Sequence, residues 1–185
     1  MLRIRITGEP VLHAVADEVQ EITPEITELV ADMYETMDAA PGVGLAAPQI
    51  GVGLRIFVYS WEDLGVLHRG VAINPELSLE PFDQDEPELE ADSEGCLSIP
   101  GERYPLRRSD SVNLKALDLE GNSFEVSANG WLARIFQHEF DHLNGILYSD
   151  RLIKPYAKQV KKAIKASGWG VPGLSWMPGQ DYLEP

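Results

Sequence analysis

Residues 137–145 read QHEFDHLNG. We predict that the rest of the chain folds around this stretch. His138 and His142 are four residues apart, so on a helix both imidazoles lie on one face and can bind the same metal ion. Glu139 would lie beside the first histidine, where its carboxylate can take a proton from a water molecule that the metal activates. The pattern therefore indicates metal-assisted hydrolysis.

The helix that carries this motif is predicted to run from about residue 131 to residue 144. Trp131 and Ile135 recur on the face that carries the histidines, which indicates an apolar, water-poor site. Gly145 follows where a glycine in the left-handed conformation commonly ends a helix. A structural alternative, two core histidines bonded only to backbone, accounts less well for both imidazoles and a carboxylate on one helix turn.

The remaining secondary structure predicts an α+β fold. Thr23 and Pro24 are typical of a helix start, and apolar residues at helical spacing continue as far as residue 40. Short apolar strands are predicted at residues 54–59 and 71–73, and Gly121-Asn122 is typical of a hairpin turn. With a further helix at residues 155–166, we expect small antiparallel sheets packed around the central motif helix, followed by a C-terminal helix.

Length and composition place bounds on domain number and location. At 185 residues the chain is expected to form a single catalytic domain over residues 1–185, with residues 168–185 as an irregular C-terminal extension. No stretch approaches the roughly 20 apolar residues that a membrane-spanning helix needs. The N-terminus lacks the apolar run of a secretory signal, so we expect a cytoplasmic protein without a membrane partner.

Charge is distributed unevenly along the chain. The net charge of −15 argues against DNA or other nucleic acid as the main partner. Residues 76–94 contain nine acidic and no basic residues, which predicts a solvated loop or edge strands. Residues 151–165 contain six basic and no acidic residues.

A hydrolytic metal site needs a third protein ligand. Tyr148 stands where the commonest peptidase extension of the motif has a third histidine, and the basic segment that follows offers no glutamate. The remaining soft ligand is Cys96, within the segment EGCLS at residues 94–98. One cysteine and two histidines suit iron(II), zinc, cobalt or nickel.

Residues 42–49, GVGLAAPQ, form an uncharged segment of small residues that we predict to be a loop. It matches one version of a dinucleotide-binding fingerprint, but it follows a helix rather than a strand, and Pro48 falls where a new helix should run. A wall of the active site is the better interpretation. Its backbone can pair with an extended peptide, and Gln49 can donate to a developing oxyanion.

Three segments, residues 42–49, 94–98 and 137–145, resemble the signature motifs of the peptide deformylases, in the same order along the chain. The resemblance extends from Gly8 to about Arg151, and the Glu-Gly-Cys form of the second motif is similar to the type 1 bacterial enzymes. It implies hydrolytic removal of the N-formyl group from the initiator methionine of new polypeptides, with release of formate.

The resemblance also implies roles for individual residues. Glu139 would move the proton from water to the leaving amine, and Gln49 with the backbone N–H of Leu97 would stabilise the oxyanion. The implied metal ligands are Cys96, His138 and His142. Members of the family typically use iron(II) and often accept nickel, cobalt or zinc.

The same resemblance suggests where the substrate binds. Gly44 and Gly95 would lie in the segments that pair with the substrate backbone, and Arg103 would border the cleft unless it is an ordinary surface charge. Arg134 is more polar than a pocket position would suggest. The candidates for the methionine pocket are Val43, Trp131 and Ile135.

The basic residues near the C-terminus bear on possible partners. The basic helix at residues 154–165 is suited to docking on ribosomal RNA near the nascent chain, although a solvated helix face explains it equally well.

Two alternative functions use the same residues. A zinc endopeptidase would use the same helix motif but would tolerate Cys96→Ser and would cut internal peptide bonds. A module that binds ribosomes or nascent chains without turnover would tolerate Glu139→Ala.

Overall fold

Three antiparallel sheets occur in the computed structural model, which describes residues 1–83, 85–181 and 183. The strands are β1 (Ile4–Arg5), β2 (Gly44–Ala46), β3 (Ile56–Asp63), β4 (Val66–Leu79), β5 (Ser93–Cys96), β6 (Ile99–Pro105), β7 (Ser111–Leu117), β8 (Ser123–Asn129) and β9 (Ser175–Trp176). The largest sheet has the order β2-β3-β4-β7-β8, while β5 pairs with β6 and β1 with β9. The edge strand β2 and the short sheet of β5 and β6 carry part of the site, and the motif helix carries the rest.

The helices are α1 (Pro24–Ala39), α2 (Gly130–Leu143), α3 (Tyr148–Arg151) and α4 (Tyr156–Ala166), with short 3-10 helices at Pro10–His13 and Ala47–Ile50. Helix α2 is central, and most of its side chains are buried. Phe136 packs edge-to-face on Tyr59 of β3, with ring centroids 4.9 Å apart. The aromatic contact fixes α2 against the large sheet. The expected α+β fold, with a motif helix among small antiparallel sheets and a C-terminal helix, is confirmed.

The end of α2 follows its predicted cap. Gly145 has φ +71°, and a Cβ there would lie 2.8 Å from the carbonyl carbon of His13. Only glycine accepts both the left-handed backbone and this close approach of another segment. The cap therefore also seats the N-terminal segment against the end of the motif helix.

Strands β3 and β4 are longer than the apolar runs at residues 54–59 and 71–73 predicted. Their outer ends are largely exposed and carry no alternating apolar pattern. Leu64 and Gly65 have φ of +47° and +80°, the positive values of the tight hairpin turn that continues the pairing. The sequence prediction missed these ends because backbone pairing, rather than burial, extends the strands.

Two predicted segments differ in how much regular structure they contain. Residues 42–49 are not simply a loop, because Gly44–Ala46 pairs with β3 and Ala47–Ile50 forms a 3-10 turn. The acidic segment contributes the end of β4 and the start of β5. Between these strands its described residues are mostly exposed, in line with the predicted solvated loop.

No helix in residues 1–83, 85–181 and 183 combines the length and the apolar character needed to cross a membrane.

Candidate active site

Helix α2 and strand β5 bring three candidate metal ligands together. The Sγ atom of Cys96 lies 3.3 Å from Nε2 of His142, which lies 3.2 Å from Nε2 of His138. All three side chains are buried, and a bulge between Gly95 and Cys96 interrupts the pairing of β5 with β6 at the thiol. A bulge re-aims a side chain out of the regular ladder, and here the side chain is that of Cys96.

The spacing of these donor atoms fits a tetrahedral metal ion. Bonds of about 2.1 Å to nitrogen and 2.3 Å to sulfur imply donor separations of about 3.4 to 3.6 Å at tetrahedral angles. The separations of 3.2 and 3.3 Å are close to these values. Burial alone lowers the pKa of His138, but Cys96 and Glu94 outweigh burial and raise that pKa well above its usual value. Burial and the neighbouring His138 lower the pKa of His142 well below its usual value, so this imidazole stays neutral, which is the form that binds a metal ion.

Glu94 is a residue of the site that sequence reasoning did not single out. Nδ1 of His138 donates to Oε1 of Glu94 at 2.7 Å, which directs Nε2 of the imidazole towards the other two donors. Arg108 donates to both carboxylate oxygens, at 2.7 and 2.8 Å. Burial opposes ionisation of Glu94, but Arg108 outweighs burial and holds the pKa of that carboxyl well below its usual range.

Arg134 is buried although it lies between pocket residues on α2. Its guanidinium donates to Asp92 Oδ1 at 2.5 Å, to Glu94 Oε2 at 3.1 Å and to the Leu106 carbonyl at 2.7 Å. It also lies over the ring of Trp131, 5.3 Å from the ring centroid. The charge is therefore paired beside the cleft, which explains a polar residue at this position.

Glu139 lies in the same cleft, and one of its carboxylate oxygens makes no hydrogen bond within the described residues. This atom, Oε2, is buried. Burial raises the pKa of Glu139 to about 7, although His138 acts in the opposite direction. A Cβ on Gly44 would lie 2.3 Å from Glu139 Oε1. Strand β2 can approach the carboxylate only because residue 44 has no side chain.

Gln49 is oriented by the turn in which it lies. Its Oε1 atom accepts a hydrogen bond from the Ala46 N–H at 2.8 Å, so the amide nitrogen faces Cys96. Nε2 lies 3.8 Å from Cys96 Sγ and 3.4 Å from Ser98 Oγ. The carboxamide thus presents N–H groups to the space beside the candidate metal site.

Nearly all of the site residues predicted from the sequence line one cleft. Ile135 is buried at its floor, whereas Val43 and Trp131 are about two-fifths exposed at 38% and 39%. Arg103, exposed on β6, borders the same cleft, and His142 lies behind the wall. The nominated lining residues are Val43, Gly44, Gln49, Gly95, Cys96, Leu97, Arg103, Trp131, Ile135, His138 and Glu139.

Trp61 is a second lining residue that the sequence prediction missed. Its ring packs near that of Trp131, with centroids 5.9 Å apart, and both rings line the cleft. The predicted strand ended at residue 59, two residues before Trp61. The extension of β3 beyond the apolar run therefore supplies part of the cleft wall.

A helix-borne H-E-x-x-H motif with a cysteine as the third donor, set between small antiparallel sheets, defines a class of metal-dependent hydrolases. The family described as polypeptide deformylase matches residues 1–158. The chain belongs to the polypeptide deformylase family.

Relatives and solved structures agree with this assignment. Peptide deformylase of Mycolicibacterium paratuberculosis is 49% identical, over 96% of this chain and 94% of the relative. That of Tropheryma whipplei strain TW08/27 is 51% identical, with the same two shares covered. The crystal structure of peptide deformylase from Thermus thermophilus has a TM-score of 0.75 and 38% identity, over 90% of this chain and 94% of that chain.

A second solved structure, peptide deformylase from Synechococcus elongatus in complex with actinonin, has a TM-score of 0.76. It is 34% identical, over 94% of this chain and 91% of that chain. The family, fold and activity implied by the three motifs are thereby confirmed. The chain is a hydrolase that removes the N-formyl group from the N-terminal methionine of newly synthesised polypeptides and releases formate.

Proposed function

We propose that Cys96, His138 and His142 hold the divalent metal ion of deformylation and that Glu139 moves the proton. The observation that carries this proposal is the group of three buried donor atoms beside a buried carboxylate oxygen that has no partner within the described residues. A metal ion held there would supply Lewis-acid chemistry, because it lowers the pKa of water and polarises a carbonyl group.

Glu139 acts as the general base and then as the general acid. Its carboxylate takes a proton from water as the water oxygen adds to the formyl carbon, and it returns that proton to the amide nitrogen as the C–N bond breaks. The products are formate and a free N-terminal amine. In the metal-free site burial raises the pKa of Glu139 to about 7, and a carboxyl whose pKa lies near neutrality can both take up and return a proton.

Gln49 and the backbone N–H of Leu97 stabilise the negative charge that develops on the formyl oxygen. The Ala46 N–H fixes the Gln49 amide oxygen, so its N–H donors are oriented before the reaction begins. Donors that are held in place in a water-poor site lose little energy by reorganising as charge develops.

The substrate backbone lies between β2 and β5. Strand β2 is at the edge of the large sheet, and β5 pairs with β6 on one side in the described part of the chain. An extended peptide can therefore pair with Gly44 on one side and Gly95 on the other. Val43, Trp131 and Ile135 receive the methionine side chain, and Arg103 borders the exit of the cleft.

Iron(II) is the proposed metal in the cell, with zinc, nickel or cobalt as possible substitutes, because all four accept a thiolate and two imidazoles. We further propose that residues 1–185 act as a single catalytic domain in the cytoplasm. The exposed basic residues of segment 154–165 would dock on ribosomal RNA near the nascent chain.

The test is formate release from a formyl-methionyl tripeptide by protein purified without oxygen and supplied with iron(II). We expect rapid release that is lost in Glu139→Ala and in Cys96→Ser, and that falls in air or with a chelator. Full activity of Cys96→Ser with cleavage of internal peptide bonds would instead support the endopeptidase. Absence of release with iron, nickel, cobalt and zinc alike would contradict the proposed roles.

A further inference from the structure

The segment after α4 returns to the N-terminal strand and contacts the loop that follows Cys96. Trp176 pairs with Ile4 in the β1–β9 sheet, and its side chain is 2% exposed. Backbone hydrogen bonds tie the same segment to the N-terminal region, from Ile6 N to Leu174 O at 3.1 Å and from Gly170 N to Thr7 O at 3.0 Å. The strand that carries Trp176 and the backbone that leads into it are therefore held against the N-terminal region.

The indole of Trp176 contacts the loop that carries Cys96. Its Nε1–H donates to the carbonyl oxygen of Leu97 at 2.8 Å. The N–H of the same peptide unit, contributed by Ser98, donates to Cys96 Sγ at 3.4 Å. One peptide unit is thus held at its carbonyl by the C-terminal segment, while its N–H points at the candidate metal ligand.

This arrangement couples the indole to the sulfur. A donor on a peptide carbonyl polarises the unit and strengthens the hydrogen bond made by its N–H. The next carbonyl, that of Ser98, accepts from Thr7 N at 2.8 Å, so the loop has two consecutive anchors. Loss of the first anchor frees the Leu97–Ser98 peptide to rotate while the second still keeps the loop near its place.

We propose that Trp176 is a positioning residue for the active site. Its indole N–H holds the Leu97–Ser98 peptide so that the Ser98 N–H is directed at Cys96 Sγ and Leu97 stays against the cleft. The C-terminal segment therefore takes part in setting up the site. The inference rests on the proposed role of Cys96 as a metal ligand.

Two substitutions at Trp176 separate hydrogen bonding from packing. Trp176→Phe keeps an aromatic ring in the core but removes the donor. Trp176→His keeps an N–H at the corresponding point of the five-membered ring but removes the second ring. If Trp176 only fills the core, Phe should be the better replacement in every assay. If Trp176 positions the Leu97–Ser98 peptide, Phe should preserve the melting temperature, whereas His should better preserve turnover.

Trp169→Phe is the control, because this half-buried tryptophan lies in the same C-terminal segment and packs against the same apolar cluster as the fully buried Trp176, and its indole donates no hydrogen bond in the described part of the chain. In Trp176→Phe we expect kcat to fall about fivefold, the scale of one lost hydrogen bond, with KM little changed. In Trp169→Phe kcat should stay at the wild-type value.

Cobalt(II)-loaded protein gives a readout that is independent of turnover. Turning the Ser98 N–H away from the thiolate makes the sulfur more electron-rich. The charge-transfer absorption from sulfur to cobalt should therefore move to longer wavelength in Trp176→Phe and stay in place in Trp169→Phe. The spectrum tests this contact even if the proposed catalytic roles were to fail. Unchanged kcat and an unchanged cobalt spectrum in Trp176→Phe would overturn the inference, as would better turnover with Phe than with His.

Discussion

Nδ1 of His138 donates to Oε1 of Glu94 at 2.7 Å, and this contact joins a candidate metal ligand to a buried ionic network. Arg108 contacts Glu94 and also donates to Asp141 at 2.9 Å, so the network reaches from β5 to the last turns of α2. Arg134 contributes a second guanidinium at 3.1 Å from Glu94. The orientation of one imidazole is thus set by charges that are paired with one another out of water.

Replacing Glu94 should weaken both metal binding and folding. Glu94→Gln removes the charge that orients His138 and leaves two buried guanidinium groups short of a partner. We expect metal affinity to fall roughly 10- to 100-fold and the free energy of unfolding to fall by about 3 kcal/mol. Competition with a chelator measures the first quantity, and denaturant unfolding of the metal-free protein measures the second.

Glu90→Gln is the control, because it makes the same chemical change at an exposed position of the same acidic segment. It should leave both quantities near their wild-type values. Equal metal retention in Glu94→Gln and Glu90→Gln would show that the Glu94 contact does not support the ligand.

Gly44→Ala should slow turnover severely without removing the metal. Its Cβ would lie 2.3 Å from Glu139 Oε1, so either the carboxylate or strand β2 must move. Because a displacement of about 1 Å at the reacting groups can cost about 100-fold, we expect a loss of kcat on that scale with normal metal content. Formate release and metal analysis on the same sample check both parts.

Gly53→Ala provides the comparison for this change. A Cβ there would meet only Val11, at 3.9 Å. The control variant should retain wild-type kcat. If Gly44→Ala did so as well, Glu139 would not need its present position for catalysis.

Local pattern in the sequence was sufficient for the motif helix and its glycine cap. The helical spacing of apolar residues along α2 and the positive φ of Gly145 depend on neighbours within a few positions. Cys96 could be predicted as the third metal ligand because the two histidines need one and because its segment resembles a family motif. The helix and its cap could be predicted because they depend on a short stretch of chain, and Cys96 could be predicted because its own segment carries a recognisable motif.

The ionic network and the role of the C-terminal segment could not be predicted in this way. Arg108 and Arg134 are 14 and 40 residues from Glu94, and isolated charges carry no periodicity that would pair them. Trp176 is 79 residues from its acceptor, Leu97. Such contacts arise from tertiary packing, and a single sequence gives no register between distant segments.

Charge reversal on α4 tests the proposed docking of this helix on ribosomal RNA. Lys158, Lys161 and Lys162 are exposed on this helix. Changing Lys161 to Glu should weaken binding to ribosomes and reduce the dependence of that binding on salt, since each phosphate contact releases counterions. Tripeptide turnover should not change, because the helix surface lies outside the cleft.

Lys115→Glu is the control for charge alone, since Lys115 is exposed on β7 of the large sheet. Sedimentation with ribosomes at several salt concentrations measures binding. Equal weakening by Lys115→Glu and Lys161→Glu would indicate a general charge effect and contradict docking through α4.

The raised pKa of Glu139 predicts how stability of the metal-free protein depends on pH. Burial raises this pKa from 4.5 to about 7, so the neutral carboxyl favours the folded state below pH 4.5 and this contribution is lost as pH rises through 7. Glu139→Gln, which stays neutral, should therefore be more stable than wild type at pH 8, by about 3 kcal/mol. The difference should disappear near pH 4, and the exposed variant Glu28→Gln should show none. A constant difference at both pH values in denaturant unfolding would mean that Glu139 ionises without a folding cost.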